Sequence, residues 1–317
     1  MTLASTSAPA PAPSSAPSSL SLFTNRANQL FEQAAQQVRP QLSAATHHRF
    51  SYWATFYGEN PDAQDSDIQL IDRSISNLVE SKGWVARKVP ERGLVDLFPP
   101  SYFSVADACV CGKNIPLWFS KPVHLSGGRG IECVRNADLA SYQLPQHHIL
   151  QAGVQNLMLL DSRKFTGRVY VLVWNQQLYL YHDGFILLHG VPFDPLSTDY
   201  TVHVDHAGYQ SDNSPVEMRL ISAQPEVQQH WSTLQQATQR LSPLFDELRD
   251  ASSQNRYIML GIDFLLQNDG GLQFIEVNAI PNFIHSDLIN RQLNVPFFAD
   301  SIRLMLGLEA PGLMSLS

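Results

Sequence analysis

The chain has 317 residues, 44% of them hydrophobic, so it can bury a sizeable core in one large domain or in two to three lobes. Its formal net charge is −8, with 21 Lys and Arg residues against 29 Asp and Glu residues. This acidic balance argues against nucleic acid or an anionic membrane as the main partner. No apolar run reaches the roughly eighteen residues of a membrane span, so we expect a cytoplasmic protein with no membrane partner.

The first 21 residues are almost entirely Ala, Pro, Ser and Thr, which lack the apolar content to order a chain. We therefore predict a disordered tail over residues 1–21. Arg26 is the first basic residue, and no hydrophobic region precedes a cleavage site, so the segment makes a poor signal or transit peptide.

Residues 22–104 predict a small α/β lobe at the N-terminus. Apolar periodicity predicts one helix over about 24–41 and a second over 67–82, which Gly83 would end as a C-cap. Short strands separated by turns are expected from Trp84 to Val105.

A Gly-rich segment follows the apolar strand that ends at Lys121. It consists of Ser126, Gly127, Gly128, Arg129 and Gly130, and a second strand follows. Glycines let backbone N–H groups approach phosphate oxygens closely, and a lysine at the end of the preceding strand can reach the same phosphates. The alternative is a plain glycine hairpin; the basic Lys121 and Arg129 favour a phosphate-binding loop.

Basic residues cluster again at the start of a buried strand that runs to Trp174. They are Arg163, Lys164 and Arg168. The alternative is a solvated strand end, but an anionic nucleotide facing the cluster would explain it. Two further strands, 178–181 and 185–189, are predicted on either side of a turn at Asp183-Gly184, which gives an antiparallel meander.

The most informative stretch is 258–282, where two apolar runs flank Asn-Asp-Gly-Gly and predict a hairpin. With Asp269-Gly270 as a two-residue turn, Asp263 lies directly opposite Glu276, and Asn278 shares their face. Opposed carboxylates repel, so a cation is expected between them. Three hard oxygen donors suit Mg²⁺; the alternative is a solvated hairpin face. The other face is predicted to fill a core with Ile262, Phe264, Ile275 and Val277.

Other metal sites are poorly supported. Three cysteines (Cys109, Cys111, Cys133) fit reduced thiols better than a disulfide framework, and Cys109-x-Cys111 with His147 and His148 is a poor match to a zinc site. His203-x-x-His206 is expected to be hydrogen-bonded or exposed. The C-terminal third predicts a long helix over 226–250, broken or kinked at Pro243, and a closing helix over 297–306.

Five strings together resemble the tubulin–tyrosine-ligase-like branch of the ATP-grasp ligases, over residues 95–285. They are Lys121-Pro122, Gly128-Arg129-Gly130-Ile131, the run from Arg163 to Val173, Gly261-Ile262-Asp263-Phe264 and Glu276-Val277-Asn278. The resemblance implies an α+β, ATP-grasp fold. The nucleotide would lie between a central lobe at 105–155 and a C-terminal lobe at 156–317, with the N-terminal lobe beside them.

The resemblance also implies roles for individual residues, with ATP and Mg²⁺, expected as two ions, as cofactors. Lys121 would contact the ATP phosphates, the 126–130 loop would cover them, and Gln151 and Val154 would lie at the adenine. Asp263, Glu276 and Asn278 would hold Mg²⁺. Lys164 and Arg168 would be the catalytic residues at the acyl-phosphate end. The chain departs from the family at Ala152, where a Lys is frequent, and at His206, where the family has Asn.

The implied activity is ATP-dependent ligation of a carboxylate to an amine through an acyl phosphate, adding an amino acid to a peptide, a protein or an amino-acid derivative. The N-terminal lobe matches poorly, so the identity of the acceptor does not follow. Two alternatives are an ATP-grasp kinase acting on a small-molecule hydroxyl and a nucleotide-binding regulator without turnover. Phosphate release that depends on an amine would separate the ligase from the kinase.

Overall fold

The computed structural model describes residues 19–204, 214–283 and 285–316. The strands are β1 (Leu20–Thr24), β2 (His48–Tyr52), β3 (Gln69–Leu70), β4 (Ser101–Tyr102), β5 (Leu117–Pro122), β6 (Glu132–Arg135), β7 (His148–Ala152), β8 (Leu159–Leu160), β9 (Arg163–Trp174), β10 (Gln177–Leu188), β11 (Glu217–Leu220), β12 (Arg256–Leu266), β13 (Leu272–Asn278) and β14 (Leu313–Ser315). The α-helices are α1 (Asn28–Val38), α2 (Pro61–Gln64), α3 (Arg73–Glu80), α4 (Lys82–Glu91), α5 (Val105–Cys111), α6 (Asn136–Leu139), α7 (Tyr200–His203), α8 (Pro225–Gln228), α9 (Trp231–Arg240), α10 (Asp246–Ala251), α11 (Asp287–Ile289) and α12 (Val295–Met305). None of the helices in these ranges is long and apolar enough to cross a membrane.

A large sheet in the order β11-β10-β9-β12-β13 forms the centre of the molecule, and β3, β8 and β14 pair with its strands. Its middle strands are apolar on both faces, because each face carries a core. Val169, Val171 and Val173 of β9 enter one core, and the alternate residues Tyr170 and Leu172 enter the other.

The N-terminal segment packs on both faces of this sheet. On one face α1 lies against α12, where the rings of Phe31 and Phe298 stack with their centroids 4.0 Å apart. On the other face Val79 of α3 and Val89 of α4 join Leu234 of α9 in the same core. The lobe boundaries at 104/105 and 155/156 remain predictions.

A second, smaller sheet in the order β4-β7-β5-β6 has its own core, formed around Trp118 with Ala108, Val134 and Leu139. It carries Lys121, the penultimate residue of β5, and, in β7, the predicted adenine-site residue Gln151. The two sheets face each other across a cleft.

Several N-terminal elements differ from the sequence prediction. β1 begins at Leu20, which is fully buried, so ordered chain starts inside the predicted tail; residues 1–18 lie outside the described ranges. The second helix does not end at Gly83. Instead Ser81 accepts a hydrogen bond from the Trp84 N–H and caps the start of α4. This helix takes the first part of the range where short strands were expected, and β4 is the short strand found in the remainder.

One predicted turn also differs. Asp183-Gly184 is an irregularity inside one long strand, β10, where the register against β9 shifts between Leu180 and Gly184. The Asp183 carboxylate accepts from the Gly184 N–H and from Ser222, which holds the irregularity in place. Near Pro243 the prediction was right: α9 and α10 are separate helices with a 3₁₀ turn over Ser242–Phe245 between them.

Candidate functional site

A cleft of about 480 Å³ lies between the small sheet and the large sheet. All of the predicted site residues line it except Arg129 and Gly130. Arg129 is exposed, and its guanidinium donates back to the Ser126 carbonyl. Residues far apart in the sequence therefore meet in one place, as the family resemblance implied.

The floor of the cleft consists of cross-strand rows on the large sheet. In the first row Arg168 of β9 lies between Asp263 of β12 and Phe185 of β10, and Asp263 in turn faces Glu276 of β13. In the second row Thr166 of β9 pairs with Leu187 of β10, which pairs with Met218 of β11. The floor is thus charged at the β12–β13 end and apolar at the β10–β11 end.

The hairpin register brings Asp263 opposite Glu276, as predicted, although the turn differs. Near the turn Leu266 pairs with Leu272 and Phe264 with Phe274, which is one residue out of the predicted register. A register shift between Asp263 and Phe264 then restores the predicted pairing of Asp263 with Glu276. Because of this bulge, Phe274 fills the core in place of Ile275, which lines the cleft instead. The prediction that Ile275 faces the core was wrong.

A positive charge was expected between the opposed carboxylates, and the structure has two cationic side chains there. One contacts Asp263 and the other contacts Glu276. Arg168 donates to both oxygens of Asp263, at 2.6 and 2.8 Å. Burial alone would lower the pKa of Arg168, but the adjacent Asp263 raises it overall, so the guanidinium stays charged. The Asn278 amide also donates to Asp263, at 3.3 Å.

Sequence reasoning missed the partner of Glu276, which is Lys82. Its Nζ donates to Glu276 Oε1 at 3.0 Å and to the Leu125 carbonyl at 2.7 Å, so it joins α4, the residue just before the Gly-rich segment and the hairpin. The Lys82 side chain is only 8% exposed. The one local signal was Ser81, a good N-cap residue, which places Lys82 in the first turn of a helix.

Two lysines face the floor with little solvent around them. Lys121 donates to Gln151 Oε1, and burial lowers the pKa of Lys121 to about 8, against the opposing effect of Glu276. Lys164 donates to the His203 carbonyl at 2.7 Å, and burial and the charge of Lys121 lower the pKa of Lys164 to about 7. Both ammonium groups lie near the Phe119 ring, at 5.8 and 5.6 Å from its centroid. Among the described residues, no carboxylate contacts either ammonium group directly, which suits an anionic ligand between them.

The Gly-rich segment forms one side of the cleft. Gly127, Gly128 and Gly130 all have φ near +70°, a backbone region that L side chains rarely adopt. A Cβ at Gly128 would lie 2.5 Å from the Tyr200 hydroxyl, so the backbone approaches α7 closely. The glycines therefore serve a tight, left-handed turn next to the cleft.

Two histidines in the cleft are held neutral. Burial and Lys164 lower the pKa of His203 to about 4, and its Nε2 lies 2.8 Å from the Ser197 carbonyl oxygen. His206 lies outside the described residues. Burial and Arg168 lower the pKa of His285 to about 3, and its Nδ1 lies 3.1 Å from the Asn294 amide nitrogen.

Within the described part of the chain, no three His, Cys, Asp or Glu side chains come together as a metal site. The candidate set therefore rests on two carboxylates and one amide, Asp263, Glu276 and Asn278. Such a set suits Mg²⁺, which usually takes one or two protein carboxylates and completes its shell with phosphate oxygens and water.

Two facing sheets with a cation-lined cleft between them define this chain as an ATP-grasp protein. A structure comparison agrees: the C-terminal domain of Pby1 from K. lactis, described as an ATP-grasp enzyme that interacts with the mRNA decapping enzyme Dcp2, matches with a TM-score of 0.64. The match covers 94% of this chain and 98% of that domain at 17% identity. It establishes the fold.

The sequence profile of the tubulin–tyrosine ligase family matches residues 104–311, so the chain belongs to this family. It is 31% identical to tubulin polyglutamylase TTLL5 of Mus musculus over 132 residues, which cover 38% of this chain and 10% of that protein. It is 26% identical to protein polyglycylase TTLL10 of Rattus norvegicus over 125 residues, which cover 33% of this chain and 18% of that protein. The matches thus span less than a fifth of either relative.

Proposed function

We propose that this chain is an ATP-dependent ligase that joins a carboxylate to an amine, adding an amino acid to a peptide, a protein or an amino-acid derivative. The observation that carries the proposal is the composition of one cleft. Two buried lysines, which no carboxylate of the described ranges contacts, lie in it opposite a hairpin with two carboxylates and an amide. The names of the relatives, a tubulin polyglutamylase and a protein polyglycylase, support amino-acid ligation.

In the proposed arrangement the nucleotide lies between the sheets. Gln151 and Val154 would flank the adenine, while Lys121 and the N–H groups of the 126–130 loop would bind the phosphates. Lys82, whose Nζ already donates to the Leu125 carbonyl, would also bind the phosphates once the Glu276 carboxylate coordinates the metal instead of Lys82. Bound by Asp263, Glu276 and Asn278, Mg²⁺ would supply charge neutralisation on the transferring phosphoryl group.

The chemistry then has two steps. A substrate carboxylate oxygen attacks the γ-phosphorus of ATP, the bond to the β-phosphate oxygen breaks, and ADP leaves. The amine nitrogen attacks the acyl carbon, loses a proton, and displaces phosphate, which carries away one oxygen of the original carboxylate. Lys164 and Arg168 would stabilise the negative charge that develops on the acyl phosphate by positioning and electrostatics.

An isotope experiment tests the proposal. The full chain is incubated with MgATP, a peptide whose carboxylates carry ¹⁸O, and a mixture of amino acids. We expect inorganic phosphate containing ¹⁸O, and only when amino acids are present. Phosphate without ¹⁸O, or a phosphorylated product that accumulates without phosphate release, would contradict the ligase. Glu276→Gln should abolish the signal, whereas Glu309→Gln, on the exposed C-terminal segment, should keep it.

We also propose that the protein works in the cytoplasm. The three cysteines are free, and reduced thiols suit that compartment.

A further inference from the structure

A second cavity, of about 490 Å³, lies between α4 and the loops that follow β4 and β5 and precede β7. We call it the lateral cavity, and its basic side chains are Arg87, His124, His147 and His148. It shares no lining residue with the cleft, and none of the described Asp or Glu side chains lines it. The whole chain has a net charge of −8, so this lining is a local exception. A concave surface with one sign of charge attracts ligands of the opposite sign.

The guanidinium of Arg87 supplies the permanent positive charge of the lateral cavity. Arg87 is exposed, and its guanidinium lies 5.1 Å from the centroid of the Phe103 ring, which favours a position over the cavity. None of the ion pairs within the described ranges includes Arg87. Glu91, one turn further along α4, is paired with Lys88 at 2.6 Å instead. The charge of Arg87 is therefore available to a ligand.

The neighbouring acidic residue on α5 is also occupied. Asp107 accepts a hydrogen bond from the Ser104 hydroxyl at 2.6 Å, and the Asp107 N–H donates back to the same hydroxyl at 3.1 Å. This carboxylate belongs to the cap at the start of α5 and does not line the cavity.

Two histidines add hydrogen-bond donors to the same cavity. His124 and His147 are both exposed there, and an imidazole carries at least one ring N–H whether it is neutral or charged. The third histidine, His148, has its Nδ1 3.0 Å from the Ser120 hydroxyl oxygen. A phosphate group carries about two negative charges and three strong acceptor oxygens, which matches one guanidinium with two imidazole donors.

Backbone hydrogen bonds connect the lateral cavity to the nucleotide site. The Val123 N–H donates to the His147 carbonyl at 2.9 Å, and the Lys82 N–H donates to the Val123 carbonyl at 3.1 Å. Through its side chain Lys82 contacts Glu276 and the Leu125 carbonyl, just before the Gly-rich segment. A ligand that bridges α4 and the residues after β5 would therefore hold Lys82 and the phosphate-covering loop in place.

We infer that the lateral cavity binds a phosphate group through Arg87, His124 and His147, and that its occupancy strengthens nucleotide binding in the cleft. The phosphate is either the free ion or part of an organic monoester, since Phe103 and Leu144 line the same cavity and can contact an apolar substituent. The coupling rests on the nucleotide-binding part of the proposed function, and the two sites then raise each other's affinity by the same factor.

The first test measures phosphate binding to the full chain by calorimetry. Mg²⁺ and a saturating non-hydrolysable ATP analogue fill the cleft, and inorganic phosphate and phenyl phosphate are the probes. We expect both to bind at one site. Tighter binding of phenyl phosphate assigns the site to organic monoesters, and equal binding assigns it to the free ion. Absence of binding by both probes would overturn the inference.

Variants locate the bound phosphate. Arg87→Gln should weaken phosphate binding about tenfold or more, because it removes a charge-assisted hydrogen bond, and His124→Ala should weaken it to a smaller extent. Both side chains are exposed, so the fold should survive. Lys113→Gln removes a positive charge from an exposed lysine outside the cavity and should leave the affinity unchanged. Phosphate affinity that is the same in Arg87→Gln and in the wild type would contradict the site.

The second test measures the coupling. The Kd of the ATP analogue is determined with and without phosphate, in the wild type and in Arg87→Gln. Competition by phosphate in the cleft raises this Kd in both proteins, so the difference between the two responses reports the lateral cavity. We expect the wild type to bind the analogue about fivefold more tightly than Arg87→Gln when phosphate is present, and equally when it is absent. An identical response of the two proteins would overturn the coupling.

The outcome is separable from that of the proposed function. A chain with Arg87-dependent phosphate binding that never releases ¹⁸O-labelled phosphate from a labelled peptide keeps the lateral site and loses the ligase. A chain that ligates amino acids but shows no Arg87-dependent phosphate binding keeps the ligase and loses the lateral site.

Discussion

Arg168 and Asp263 face each other on adjacent strands and are joined by two hydrogen bonds of 2.6 and 2.8 Å. Asp263 is therefore both the partner of a buried arginine and a candidate metal ligand. The ion pair positions the carboxylate in the absence of an ion and keeps the guanidinium next to the expected phosphates. Removal of the carboxylate should consequently affect stability and catalysis together.

The first prediction concerns Asp263→Asn. The substitution leaves the guanidinium of Arg168, only 19% exposed, without its anionic partner. We expect the free energy of unfolding to fall by about 2–3 kcal/mol and Mg²⁺-dependent turnover to be lost. Thermal melts and phosphate release measure the two effects. Asp250→Asn changes an exposed carboxylate at the end of α10 and should alter neither; an Asp263→Asn protein with full turnover would contradict the metal assignment.

The second prediction concerns Lys82 and Glu276. An isolated pair of opposed carboxylates would gain stability when one is neutralised, but here Glu276 pairs with Lys82 at 3.0 Å. Glu276→Gln should therefore destabilise the ligand-free protein, and a double-mutant cycle with Lys82→Met should give a coupling energy of about 1–3 kcal/mol. Additive effects of the two substitutions would show that the contact contributes nothing.

The hairpin shows what the sequence could predict and why. Strand alternation and the Asp-Gly signal predicted Asp263 opposite Glu276, and the structure has this pair because two deviations from the assumed hairpin compensate each other. The turn is longer than the two residues assumed, and the bulge next to Phe264 cancels the difference. Ile275 and Phe274 exchange roles as a result, because a bulge changes the face of every residue beyond it.

The N-terminal contribution to the site could not be predicted in the same way. The contact of Lys82 with Glu276 joins residues 194 positions apart, and no local periodicity specifies such a contact. Local signals also competed, since Gly83 suggested a helix end while Ser81 begins the next helix. The pairing of β9 with β12, which joins Arg168 to Asp263, is likewise a property of the whole sheet.

A third prediction concerns Lys121. The ammonium is buried beside Gln151, and no carboxylate in the described part of the chain contacts it, so its charge is available to a phosphate. Lys121→Ala should weaken ATP binding, because a charge-assisted contact contributes about 1.5–3 kcal/mol and its loss raises Kd about tenfold or more. Equilibrium titration with an ATP analogue measures this. Lys113→Ala, at an exposed lysine just before β5, is the matched control and should leave Kd unchanged.

The fourth prediction concerns protons. The pKa of Lys121 is lowered to about 8 and that of Lys164 to about 7, in both cases mainly by burial. Between these values and the ordinary lysine pKa, the folded protein binds fewer protons than the unfolded chain, so its stability should rise with pH in that window. Bound phosphates favour the charged lysines, so MgATP binding at pH 8 should take up protons.

Calorimetry in two buffers with different ionisation enthalpies measures this uptake. Lys164→Met should reduce it and should raise the ligand-free melting temperature more at pH 6 than at pH 9, because the cost of burying the charge is greatest where the lysine is protonated. Proton release on binding, or an uptake unchanged in the variant, would contradict the assignment.

The last prediction separates the two central glycines of the loop. Gly127 and Gly128 have φ values of +67° and +71°, so alanine at either position carries a left-handed backbone that costs about 1–2 kcal/mol. A Cβ at Gly127 has nothing within 4 Å, whereas one at Gly128 would lie 2.5 Å from the Tyr200 hydroxyl and 2.8 Å from Val204 Cγ1. Gly128→Ala should therefore displace α7 from the loop in addition to straining the backbone.

We expect a larger loss of ATP-analogue affinity for Gly128→Ala than for Gly127→Ala, at similar melting temperatures, since the loop borders the cleft and lies outside both large cores. Equal losses would mean that the backbone conformation alone matters, and that the contact between the loop and Tyr200 has no part in nucleotide binding.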